Sequence, residues 1–300
     1  MGAGWVAGSV RGRLLAHHRL GAEAARAVAT AGSFAAAREQ LRASPYVDVS
    51  AHAETVAAAQ HAIWAGVVWN LRVLAGWLPA VGVETTRVLA AFLELRNIED
   101  LLFGAGEARA FDLGTLATAW TRARDVAAPS EVRGVLRQSA WRDPGSDDPD
   151  EMLTSLRLEW ARRLGELDPA WGGGAAALVV ARMVAQRKGP AGPDVARRAP
   201  MLGPSAATAP TVSELSAVVP DSARWVLREI ADAHDLWRAE ARWWRRLDDD
   251  AEAWLRAARP GMRVVLGAVT SLMVDAWRVS AAIEIAARGG RGREVLDAVA

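Results

Sequence analysis

The residues of this chain best placed to do chemistry are Asp248, Asp249, Asp250 and Glu252, which contain a D-D-x-x-E spacing. Carboxylates so spaced can share a Mg²⁺ ion that grips a diphosphate. The plainer reading is an acidic N-cap opening the next helix, favoured by the helix dipole. The histidines (His17, His18, His52, His61, His234) form no H-x-x-x-H pair and no H-E-x-x-H zinc site, so each is expected to be solvated or interfacial. Gly2-x-Gly4 with Gly8 is no dinucleotide fingerprint, since no strand precedes it and the last spacing is wrong; Gly290-Arg-Gly292-Arg fails similarly. The sole lysine, Lys188, is followed by Gly189-Pro190, so there is no Gly-Lys-Ser/Thr cradle for nucleotide phosphates. No catalytic residue, cofactor or metal is therefore expected.

Composition narrows the classes further. A net charge of +1 leaves no strongly basic field for nucleic acid or an anionic membrane. All but one of the 36 basic residues are arginine, which reads as a genome-composition bias and not as a phosphate-binding device. The absence of cysteine removes disulfides, thiolate nucleophiles and cysteine metal sites, and fits an intracellular protein. Fourteen tryptophans are many for this length. Most are expected to be core or half-buried anchors. Trp243 and Trp244, set among arginines in RAEARWWRRL (238–247), also have the makeup of a protein–protein hot spot.

The elements that must carry these residues are helices. Alanine supplies much of the hydrophobic half of the chain, and no convincing run of alternating apolar residues occurs, so the fold class is all-α. Spacing predicts helices over Trp5–Leu20, over FAAAREQLRAS behind an N-cap at Ser33, over roughly 50–78, and from Val83 to Phe103. Thr115 is the expected cap of the following stretch. Further helices are predicted over 151–167, 172–188, Asp221–Leu247 and Met262 to about Arg288, with an acidic break after Leu247 and a short tail helix. Residues 189–210, with five prolines, read as a linker or an extended strap. The most apolar segments, 62–83 and 262–287, are interrupted by charge (Arg72; Arg263, Asp275, Arg278, Glu284) and offer no membrane span. The N-terminus lacks the order of a secretory signal, so a soluble protein is expected.

Three helix ends look alike: ELRNIEDLLFGAG (94–106), VVARMVAQRKG (179–189) and VDAWRVSAAIEIAARGG (274–290). In addition, Leu41-Arg42-x-Ser44-x-Tyr46 matches Leu136-Arg137-x-Ser139-x-Trp141 at an offset of 95 residues. These repeats divide the chain into helical units over 1–108, 109–190 and 211–300, with 191–210 as the Pro-rich linker.

In that order the pieces resemble the C-type (eukaryotic d-type) coupling component of V-type and A-type rotary ATPases. The opening Gly4–Leu15, with Arg11 and Arg13, is similar to the family's first helix, and FAAAREQLRASPY to its continuation. Glu94-x-x-Asn97-Ile98-x-x-Leu101-Leu102 resembles the family's D/E-x-x-N-Leu-x-x-Leu-Leu-Arg signature. Asp275-Ala276-Trp277-Arg278-Val279 with Glu294-Val295-Leu296 resembles its closing segment. Phe103 stands where the family has Arg, and the middle copy has Val179 and Arg182 in place of acid and Asn. The resemblance implies three related helical units arranged as a pseudo-threefold funnel. It implies a non-catalytic protein, peripheral on the cytoplasmic side of the membrane, that joins the central stalk to the proteolipid ring for proton or sodium transport. Its membrane contact runs only through the ring, with no direct nucleotide binding and no nucleic acid. Glu94, Asn97, Asp275 and Arg278 are then either partner contacts or buried ties between helices. Arg11, Arg13, Trp243 and Trp244 are the other candidate contact positions. Two other readings stand beside this one: a helical isoprenoid-synthase-like, Mg-dependent enzyme built on Asp248, Asp249 and Glu252, and an unrelated Ala/Arg-rich helical scaffold.

Overall fold

The computed structural model describes residues 2–104 and 110–299, so Ala105 and Gly106 of the first repeated end, and the boundary at 108/109, lie outside the described residues. Every regular element described is helical, with no strand among the described residues. The chain opens with α1 (Ala3–His17), α2 (Ala22–Ala29) and α3 (Phe34–Gln40). Ser33 caps α3 as expected, its hydroxyl accepting Ala36 N–H at 3.2 Å. The single helix expected over 50–78 is instead two, α4 (Val47–His52) and α5 (Val56–Ala75). Thr55 divides them, because its extended backbone and hydroxyl, which accepts Ala58 N–H at 3.1 Å, start a new helix. Directly after Pro79 comes α6 (Ala80–Phe103).

Thr115 is not a cap; it lies inside a 3-10 turn, Gly114–Leu116, ahead of α7 (Trp120–Ala123) and α8 (Pro129–Arg137). Two Asp-Pro pairs then start long helices, α9 (Pro149–Leu167) on Asp148 and α10 (Pro169–Arg187) on Asp168. In each, the aspartate accepts first-turn amides and the proline takes the position where a missing N–H costs nothing. The Pro-rich stretch is not an open strap. It forms α11 (Pro193–Arg198) and 3-10 turns over Pro200–Leu202 and Pro204–Ala207, with Val195, Ala199, Leu202 and Ala206 buried.

The helix expected from Asp221 to Leu247 is also broken. After α12 (Val212–Val218), α13 (Asp221–Leu227) ends beside Glu229, whose φ of 59° is left-handed. The next helix, α14 (Leu236–Leu255), runs straight through Asp248–Glu252, so the acidic cluster is neither a break nor an N-cap. Ion pairs one helical turn apart, Arg246–Asp250 (2.8 Å) and Arg256–Glu252 (3.3 Å), offset the repulsion there. The helix ends at Leu255, and Pro260, which cannot continue a helix, lies in the break before the next one. The chain closes with α15 (Met262–Ala287) and α16 (Glu294–Asp297).

Two compact units result, one of Met1–Thr86 with Trp244–Ala300 and one of Arg87–Trp243. In the first, α15 is buried along nearly its whole length, with α1, α2, α3 and α5 packed round it. Among the described helices α15 alone is long and apolar enough to cross a membrane, but 83 % of its apolar window is covered by the protein itself. In the second unit α10 packs on α9 and α13, and a core of Leu95, Ile98, Val132, Leu136, Trp141 and Met152 joins α6 to α8 and α9. Where α9 meets α10, a methyl group on Gly172 would collide with the backbone of Gly165 and Ala161. Gly172→Ala should therefore destabilise the protein by about 1–3 kcal/mol through overpacking. Urea unfolding measures this, and an unchanged midpoint would show that the two helices are not in such close contact.

Candidate functional site

The motif residues converge on two buried carboxylates, one in each unit. In the second unit Glu94, on α6, is fully buried. Its Oε1 accepts the backbone N–H groups of Thr118 (2.9 Å), Ala119 (2.6 Å) and Trp120 (2.6 Å), and its Oε2 accepts the Trp141 indole N–H at 3.2 Å. In the first unit Asp275, on α15, is 1 % exposed. Its Oδ1 accepts Gly21 N–H (2.8 Å), and its Oδ2 accepts Leu20 N–H (2.9 Å) and the Tyr46 hydroxyl (2.8 Å). Each carboxylate thus collects amides that lead into a short helix, α7 or α2, and that have no partner within the helix. Each also holds one aromatic side chain.

Those two aromatics are the matching positions of the 95-residue repeat, and the likeness extends to the turn before them. Ser44 donates its hydroxyl to Leu41 O (2.7 Å) and accepts Tyr46 N–H (3.1 Å). Ser139 donates to Leu136 O (2.7 Å) and accepts Trp141 N–H (3.1 Å). The L-R-x-S-x-aromatic pattern therefore encodes a serine-closed turn that ends a helix and aims a donor at a carboxylate.

Three residues beyond each carboxylate a second polar group ties down later chain. Asn97 donates to Phe111 O (2.9 Å) and accepts Phe111 N–H (2.8 Å). Arg278 donates to Asp248 Oδ2 (2.6 Å) and to Val299 O (2.6 Å). All four motif residues are buried and spent on contacts inside the chain. At the middle copy no acid is present: Val179 is half-buried, and Arg182 is exposed and paired with Glu240.

The remaining candidates fall elsewhere. Trp243 and Trp244 lie in the interior, not on a surface. Trp243 donates its indole N–H to Trp171 O (3.0 Å), and Trp244 stacks on Trp277 at 5.7 Å. Arg13 donates to Leu255 O and Ala257 O, satisfying carbonyls at the end of α14. Arg11 lines a cleft formed by α1, α4 and α5. Asp248 is committed to Arg278, Asp250 to Arg246 and Glu252 to Arg256, and no cluster of three or more metal-ligating side chains occurs among the described residues. Four histidines are exposed and His61 is half-buried. Sequence reasoning missed Arg163, which lies 5.4 Å over the Trp141 ring beside the Glu94 latch; burial lowers its pKa, opposed by Glu159 and Glu94. No spacing rule marks a cation stacked on an indole.

No protein-family model matches this chain, and no curated protein matches it significantly.

Two tests follow from the latches. Replacing Glu94 by Ala leaves buried amides without an acceptor, so the loss should be about 3–5 kcal/mol, the range for breaking a buried charged contact. Chemical denaturation of the variant reads it; a loss inside the range of ordinary surface changes would refute the latch. Tyr46 is the sole tyrosine, so phenolate absorbance reports on it alone. Burial first, then the charge and hydrogen bond of Asp275, raise its pKa well above the ordinary 10.0. A raised folded value means that the contribution to stability is complete below pH 10 and is lost as pH rises through the folded pKa. Tyr46 should therefore ionise well above pH 10, together with loss of structure; ionisation near pH 10 in a folded protein would contradict the arrangement.

Proposed function

We propose that this chain is the non-catalytic coupling component of a V/A-type rotary ATPase. It would sit peripherally on the cytoplasmic side of the membrane, joining the central stalk to the proteolipid ring during proton or sodium transport. One observation carries the reading. The positions that the resemblance singles out, Glu94-x-x-Asn97 and Asp275-x-x-Arg278, do the same work in two units. In each, the acid holds a short-helix start and an aromatic, and the residue three further on fixes later chain. A motif used twice in this way is what a repeated architecture requires. On this reading α15, α6 and α10 are the long helices of three related units in a pseudo-threefold funnel, the third having lost its acid at Val179. Of the acidic cluster on which the enzyme reading rests, Asp248 and Glu252 are each paired with an arginine.

Substitutions at the buried motif positions would unfold the chain before they reported on a partner, so the test uses the whole protein. Co-expressed with V-type stalk, catalytic and proteolipid proteins from the same genome, it should co-purify with both stalk and ring. Membrane vesicles lacking it should hydrolyse ATP without accumulating ions. Coupled pumping in its absence, or failure to associate with either component, would refute the proposal.

A further inference from the structure

Among the described residues five arginines keep one buried guanidinium nitrogen outside their hydrogen bonds: Arg11, Arg87, Arg163, Arg198 and Arg278. Four of them are engaged through other atoms. Arg87 donates to Thr115 O, Arg198 to Asp143 O, Arg278 to Asp248 and Val299 O, and Arg163 lies over Trp141. Arg11 alone has neither hydrogen bond nor ion pair among the described residues, although its Nε is the buried atom. Arg11 as a residue is half-buried, but a guanidinium nitrogen kept from water without a partner is costly, and such a group in a cleft is a place for a ligand.

The cleft it lines has a volume of about 410 Å³ and lies within the first unit. Its floor is aliphatic, with Leu15, Val49, Val67 and Leu272 all buried. Asn70 and His18 add polar groups at its walls. Neither α1 nor α5 contains a single acidic residue, so the charge on Arg11 is not balanced from its own or the facing helix. Asp48 is the one carboxylate in the lining, and it makes no ion pair with Arg11.

We propose that this cleft binds a monocarboxylate with an apolar body. The guanidinium of Arg11, at the wall of the cleft, is a fork of N–H donors of the kind that receives a carboxylate. The aliphatic floor takes the body, as in small-ligand sites of this size. Asp48 sets the charge limit, because a second negative group on the ligand would meet it. The carboxylate can belong to a free acid or to an acidic side chain within an aliphatic segment of another protein. The site stands independently of the rotary reading.

Isothermal titration with the intact protein distinguishes these sources. The probes are hexanoate, adipate, hexanol, inorganic phosphate, and the blocked peptide Leu-Leu-Glu-Leu-Leu. Hexanoate should bind saturably and raise the melting temperature, with hexanol and phosphate inert. Binding of the peptide and not of hexanoate would assign the same chemistry to a partner protein. Adipate should bind at least about tenfold more weakly than hexanoate, with the difference reduced in Asp48→Asn. Arg11→Gln should weaken binding by about tenfold or more, and Arg11→Lys, which keeps the charge but loses the fork, should also weaken it. Circular dichroism establishes that each variant is folded, and Arg11→Lys serves if Arg11→Gln is not. The proposal is overturned if neither hexanoate nor the peptide binds, if both Arg11 variants bind as the parent does, or if phosphate or hexanol binds as well as hexanoate.

Discussion

A carboxylate taken out of water has to be met by donors already held in place, and this requirement organises both units. Glu94 and Asp275 are each buried on a long helix, and each is solvated by amides at the start of a short helix and by one aromatic donor. The arrangement relieves two costs together. Helix starts carry amides with no intrahelical acceptor, and buried acids carry lone pairs that water no longer reaches. Pairing them fixes the direction in which the short helix leaves, and with it the path of the chain up to the serine-closed turn. The long helix must also be buried where the acid sits, which the aliphatic lengths of α6 and α15 ensure.

The arginine load takes its meaning from the same need to satisfy buried polar groups. Many of these guanidinium groups serve main-chain carbonyls, as Arg13 does at the end of α14 and Arg38 at Ala53 O. Others balance acids along a helix, which lets α14 carry Asp248–Glu252 without breaking. On the rim of the second core, Arg133 grips Asp143 through two bonds (2.7 and 3.2 Å) and, with the Gly145 amide, lowers the Asp143 pKa to about 2. Arginine here is often an internal fastener, and among the described arginines with a buried, unbonded guanidinium nitrogen Arg11 is the one that fastens nothing.

Much of this architecture is legible in the sequence. The all-helical class follows from alanine content and the lack of alternation, and the Ser33 cap from its place before an apolar-periodic run. The repeat of Leu41–Tyr46 at Leu136–Trp141 marks two turns that the structure makes equivalent. Other features depend on distance in space. Nothing in the sequence near Asp275 says that its donors lie at Leu20, Gly21 and Tyr46. The burial of Trp243 and Trp244 is hidden because a hot spot and a core anchor have the same composition. The acidic run reads as a helix start, and the structure overturns this because its compensating arginines lie a turn away on either side. In 189–210, proline frequency suggests open chain, while alanines together with Val195 and Leu202 provide a buried face.

Native-state amide hydrogen exchange at Leu20, Gly21, Thr118, Ala119 and Trp120 tests the central claim most directly. If the two carboxylates hold these helix starts, all five amides should exchange only when the protein unfolds globally, as core helix amides do and frayed helix ends do not. Rapid exchange at these positions in an otherwise protected protein would show that the carboxylates do not bind them, and the account of both units would fail.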